Sequence, residues 1–151
     1  MSYIISPPEE TALQAHLQKL RTQLHEDPEL SWQEHRTTRL VRRELEALCL
    51  EPVPLGLPTG TAALLRGALP GPTVGLRADL DALPITERTG AEFSSRVPGV
   101  MHACGHDIHM AALLGAARLL AARREQLAGN VLFLFQPAEE AATGAMQVLE
   151  Q

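Results

Sequence analysis

Two short stretches hold the residues able to do chemistry. One is Gly99-Val100-Met101-His102-Ala103-Cys104-Gly105-His106-Asp107-Ile108-His109, the other Phe135-Gln136-Pro137-Ala138-Glu139-Glu140. Between them they offer a thiol, several imidazoles and a carboxylate pair, the ingredients of metal-dependent hydrolysis. Cys104 and His106 form a Cys-x-His pair just before an expected helix, whose N-terminus favours the thiolate that binds metal. Gly105 between them allows a tight turn. The plain alternative is a buried cysteine beside a capping histidine. His102 and His109 are further candidates, as ligands, as orienting groups or as substrate contacts. Adjacent carboxylates at Glu139 and Glu140 repel, so a cation on one leaves the other free to act as general base. The plain alternative there is an acidic first turn of the next helix. Asp79 and Asp81 follow an expected strand, where a carboxylate can steer a ligating imidazole or merely cap a turn.

The elements that must position these groups are legible in outline. Ser6-Pro7-Pro8-Glu9 reads as a capping box that opens a helix to about His25. Asp27-Pro28 breaks it. Ser31-Trp32-Gln33-Glu34 reads as a second capping box, opening a helix to about Leu48. Its apolar stripe is Leu40, Val41, Leu45 and Leu48, with Arg36, Arg39, Arg42 and Arg43 on the solvated face. Pro and Gly between 51 and 60 mark turns around a short strand. Strands are expected at 61–66, 73–78 and 130–135. The runs Val74-Gly75-Leu76 and Val131-Leu132-Phe133-Leu134-Phe135 suit burial on both faces. Residues 81–100 read as a long irregular segment, the kind that is often functional. Helices are expected over about 107–124 and from Ala141. This order gives an α/β fold, a mixed and largely parallel sheet flanked by helices. Both chemical stretches then lie at strand ends or helix starts, where open α/β sheets place ligands.

Composition narrows the function classes. The chain has 151 residues, 45% hydrophobic, with only 3% aromatic, so aliphatic side chains must fill the core. A net charge of −5 and the lack of a basic cluster argue against a nucleic-acid partner. Two cysteines make no disulfide framework, which points to a reducing compartment, the cytoplasm. Residues 1–8 lack the basic and apolar regions of a signal peptide. No apolar run approaches the roughly 18 residues of a membrane span.

Four ordered segments carry a resemblance: Leu24-His25-Glu26-Asp27-Pro28-Glu29-Leu30-Ser31, Leu76-Arg77-Ala78-Asp79-Leu80-Asp81-Ala82-Leu83-Pro84, Met101 to Asp107, and Phe135 to Glu140. Together they resemble the M20 metallopeptidase and amidohydrolase family. The nearest group in it contains N-acyl-amino-acid amidohydrolases, hippurate hydrolases and auxin-conjugate hydrolases. The resemblance implies a site for two divalent ions (Mn, Zn, Co or Ni). Cys104, His106 and Glu140 would be ligands, Glu139 the general base and Asp79 a steering carboxylate. It implies a small-molecule substrate, an N-acyl amino acid or related conjugate, hydrolysed at its amide bond. It also implies that residues 1–151 are the N-terminal part of a catalytic domain, without two later histidines and without the lid domain. On that expectation activity is impaired, and a C-terminal half or a second copy can add at an exposed sheet edge. Two other readings stay open: a non-catalytic remnant that binds metal or a partner, and a cysteine hydrolase using Cys104 with His102 or His106.

Overall fold

The first helix is set by local chemistry. Glu9 Oε2 accepts hydrogen bonds from the Ser6 N–H at 3.0 Å and from its hydroxyl at 2.6 Å, closing the expected capping box. Helix α1 then runs Pro7–Glu26. This computed structural model describes residues 6–151; residues 1–5, on which the reading of the N-terminus partly rests, lie outside them. Helix α2 spans His35–Ala47 and buries Leu40, Val41 and Leu45, while its four arginines are exposed. The second capping box does not form. The N-cap is Glu34, which makes no side-chain cap bond, and the backbone at Trp32 turns left-handed with φ 64°. Ser31 is drawn away to Asp81, to which its hydroxyl donates at 2.6 Å.

The strands are β1 Glu51–Val53, β2 Thr61–Arg66, β3 Leu69–Asp79 and β4 Ala128–Gln136. Helix α3 spans His106–Ala121 and helix α4 spans Gly144–Leu149. The sheet order is β1-β2-β4-β3. The sheet is mixed, as expected, but its parallel share is smaller than expected. Only β3 and β4 run parallel, whereas β1–β2 and β2–β4 are antiparallel. A parallel pair needs a long crossover, and only α3 supplies one, between β3 and β4.

The core lies on one face of this sheet. Ala63 and Leu65 of β2, Ala78 of β3, and Val131, Phe133 and Phe135 of β4 are alternate residues within their strands. They cluster with Leu20 and Leu24 of α1, Val41 and Leu45 of α2, and Met110 and Leu114 of α3. The expectation of strands buried on both faces fails for β3, an edge strand whose Val74 is 52% exposed. On β4 the opposite face, Leu132 and Leu134, is only partly buried. At the far end of the sheet, Gly129 sits at φ 80°, and a Cβ there would meet the Pro72 carbonyl oxygen at 2.0 Å. Residues 81–100 are irregular; two single bridges, Leu30 to Ala82 and Leu83 to Met101, and hydrogen bonds to α1, among them Arg96 N–H to the Glu26 carbonyl at 2.8 Å, hold them in place. No helix is long and apolar enough to cross a membrane among the described residues.

Candidate metal centre

The parallel pair β3 and β4 ends side by side, and α3 starts next to it. Both expected chemical stretches therefore meet at one edge of the sheet, as an open α/β sheet requires. Gly105 is the N-cap of α3 at φ 82°, a left-handed conformation suited to glycine. It turns the chain so that Cys104 and His106 face the Glu139-Glu140 turn. Cys104, His106 and Glu140 each offer one ligand atom, and these atoms all lie within 4.8 Å of one another. His106 is buried, Glu140 half-buried and Cys104 exposed. Glu139 sits beside them, its Oε2 3.9 Å from His106 Nε2, with its side chain 39% exposed. All four expected site residues are thus brought together.

The hydrogen bonds fix which atoms face inward. His106 Nδ1 donates to the Asp81 backbone carbonyl at 2.8 Å. A carbonyl only accepts, so Nδ1 carries a proton, and in the neutral ring the lone pair is on Nε2, which is turned toward both glutamates. The Asp81 carboxylate, fully buried, accepts the Glu139 N–H at 3.0 Å, the Glu140 N–H at 2.9 Å and the Ser31 hydroxyl. Glu34, also fully buried, accepts the Ala138 N–H at 2.8 Å and the Thr59 hydroxyl at 2.7 Å. Ala138 is held at φ 50°. Two buried acidic residues far apart in sequence thereby shape the turn that carries the carboxylate pair.

Electrostatics fit a cation. Burial pushes the Cys104 thiol up, and the negative charges of Glu140, Glu139 and Asp79 push it further. The expected bias of the helix N-terminus toward a thiolate is therefore outweighed. A nucleophilic cysteine needs the opposite, whereas a divalent ion between thiol and carboxylates reverses the sign. Glu140 Oε1 is buried with no hydrogen-bond partner, an acceptor aimed at the same point. A soft thiol, an imidazole lone pair and a free carboxylate oxygen make a donor set that suits zinc and its neighbours.

Other expectations are redistributed. Asp79 is taken by Arg77, whose Nε donates to it at 2.8 Å, so the steering of His106 falls to Asp81. His109 is exposed and its ring lies 6.0 Å from that of His106. His102 is buried, and burial lowers its pKa to about 4. Neither joins the ligand cluster found among the described residues. Sequence reasoning missed Glu34, Ser31 and His25. Their only signal was that His25 and Ser31 fall in the first of the four resembling segments.

The profile of Peptidase family M20/M25/M40 matches residues 75–151, just over half of the chain, and the chain belongs to that family. It is 51% identical over 140 residues to N-acetylcysteine deacetylase of Bacillus subtilis, covering 92% of this chain and 37% of that protein. It is 48% identical over 137 residues to the IAA-amino acid hydrolase ILR1-like 6 of Arabidopsis thaliana, covering 90% of this chain and 29% of the relative. Among solved structures, a dinuclear metal-binding peptidase of the M20 family from Bacillus subtilis superposes with a TM-score of 0.90 at 50% identity. That match covers 93% of this chain and 39% of the other. The chain thus spans between 29% and 39% of the length of these relatives.

Proposed function

We propose that this chain is the N-terminal part of the catalytic domain of a metal-dependent amidohydrolase. Its substrates would be N-acyl amino acids or related conjugates, cleaved at the amide bond. The observation that carries the reading is the convergence of Cys104, His106 and Glu140 within 4.8 Å, with Glu139 alongside. The similarity to a deacetylase and an amino-acid conjugate hydrolase supports the substrate class, and that to a dinuclear peptidase supports two divalent ions (Mn, Zn, Co or Ni). Cys104, His106 and Glu140 are the ligands supplied by this chain. By the family resemblance, further ligands and a lid would lie in the part of the relatives that the match does not cover. The ions, when bound, polarise the amide carbonyl and acidify water.

The chain's own groups divide the remaining work. Glu139, close to the ligands but free of the clamp on its side chain, takes a proton from the attacking water and passes it to the leaving amine. Asp81 holds Glu139 and Glu140 at a fixed distance from each other through their backbone N–H groups. It also holds His106 through its carbonyl, so the base and two of the three ligands are tied to one residue. The scarcity of cysteines supports a cytoplasmic setting, and the open edge of β3 suits the addition of a C-terminal portion or a second copy.

The test is metal content and turnover together. The purified chain is loaded with Mn, Co or Zn, the bound metal is counted, and N-acetyl- and N-benzoyl-amino acids are assayed. We expect metal binding that Cys104→Ala weakens, and little or no turnover until a C-terminal portion is supplied. In the reconstituted protein, Glu139→Ala retains metal and abolishes turnover. Metal binding unchanged by Cys104→Ala would sink the reading.

A further inference from the structure

Behind the ligands lies a buried polar chain that the reaction above does not use. Arg21 Nε and His25 Nδ1, both on α1, donate to the same oxygen of Asp107, each at 2.8 Å. The far nitrogen of His25 lies 3.3 Å from Glu87 Oε1. Glu87 belongs to the irregular segment and accepts the Ser95 N–H at 2.6 Å and the Thr89 hydroxyl. The side chains of His25, Asp107 and Glu87 are 5%, 1% and 4% exposed. Phe93 packs edge-on against the His25 ring with centroids 5.4 Å apart, and Arg21 stacks 4.2 Å over Phe93. The three-residue stretch from Glu87 through His25 to Asp107 is thus buried, while Arg21 at its end is part-exposed, its side chain 28% accessible.

Its placement gives it a target. Asp107 directly follows His106 and lies in the first turn of α3, three residues after Cys104. The N-cap of α3 is a glycine with no side chain to fix the helix start. His106 is tied to the Asp81 carbonyl, and the second tie of this turn, from the opposite side, is Asp107, held by α1. We propose that His25, acting through Asp107, is a positioning residue that fixes Cys104 and His106 in ligand geometry; this rests on the metal reading above. The branch to Glu87 fastens the irregular segment to α1 and is separate from that role. Partners of this kind behind metal ligands typically change metal affinity 10–100-fold when removed.

The experiment uses the 151-residue chain and Co2+, read by binding titration and by the cobalt–thiolate absorption band, at a temperature where every variant is folded. The amide nitrogen of asparagine falls near the position of histidine Nδ1, whereas that of glutamine falls near Nε2. His25→Gln therefore keeps the reach to Glu87 and loses Asp107, and it is expected to weaken Co2+ by about tenfold and to shift the band. His25→Asn keeps the Asp107 bond and is expected to preserve both readouts. Glu87→Gln, which cuts only the other branch, leaves both as in the wild type. His25→Gln behaving as wild type would overturn the proposal. So would His25→Asn failing as badly as His25→Gln, or Glu87→Gln weakening Co2+ as much. A wild-type chain without a cobalt–thiolate band would remove the metal reading itself, and this inference with it.

Discussion

Replacing Asp81 with asparagine keeps its shape and changes what it can accept. The carboxylate takes three donors: the Glu139 N–H on Oδ1, and the Glu140 N–H and Ser31 hydroxyl on Oδ2. Asparagine has one oxygen. Its best orientation keeps the two donors of Oδ2 and turns an NH2 group toward the Glu139 N–H. One charge-assisted hydrogen bond is lost, at about 1.5–3 kcal/mol, and the two that survive drop to neutral strength. The sum is about 3 kcal/mol. For a chain of this size that lowers the melting temperature by about 6–12 °C. Urea unfolding of the metal-free chain measures the loss, with Ser31→Ala, which removes one part-buried bond and is expected at about 1.5 kcal/mol, as the reference. If Asp81→Asn loses no more than Ser31→Ala, the clamp on the carboxylate turn is not what holds it.

Two further predictions concern acid and backbone. Hydrogen bonds from Ser95 and Thr89 hold the Glu87 carboxyl down to about 2 from an ordinary 4.5, so its stabilisation is present above pH 4.5 and lost as pH falls toward 2. His102, lowered from 6.5 to about 4 by burial, contributes an earlier loss between those values. Urea midpoints against pH then fall in two stages, and Glu87→Gln removes only the lower one; an unchanged acid limb in that variant contradicts the assignment. Gly129→Ala combines left-handed backbone with a clash on Pro72 and is expected to lower stability by at least about 2 kcal/mol. Gly75→Ala, with nothing within 4 Å of its added Cβ, serves as control and is expected to be neutral or mildly stabilising; equal losses at the two sites would refute the steric argument.

What could be read from the sequence follows the range of the interactions. The first capping box lies within four residues and forms as expected. Gly105 turns left-handed, as expected of a glycine between two candidate ligands. The second capping box had equally good local credentials, yet Ser31 serves Asp81, 50 positions away. Asp79 and Asp81 look alike in sequence; which one enters the site depends on Arg77 capturing the first and on the meeting of β3 with β4 for the second. Likewise, no local pattern says that β4 inserts between β2 and β3. That pairing makes most of the sheet antiparallel and leaves β3 at the edge. The candidate ligand residues were legible because they are neighbours in two short stretches. The residues that hold them were not, because they come from other helices and loops.

Glu34 accepts the backbone of Ala138 across 104 positions. At a synthesis rate of about 5–20 residues per second, this buried carboxylate waits roughly 5–20 s for its partner to be made. Asp81 waits for the same turn. Until then two acidic groups destined for the interior have only a hydroxyl donor each, from Thr59 and Ser31, and the sheet lacks the strand that joins its halves. The carboxylate pair therefore takes shape only after β4 has been translated, which would make capture of the proposed metal report the closing of this part of the sheet.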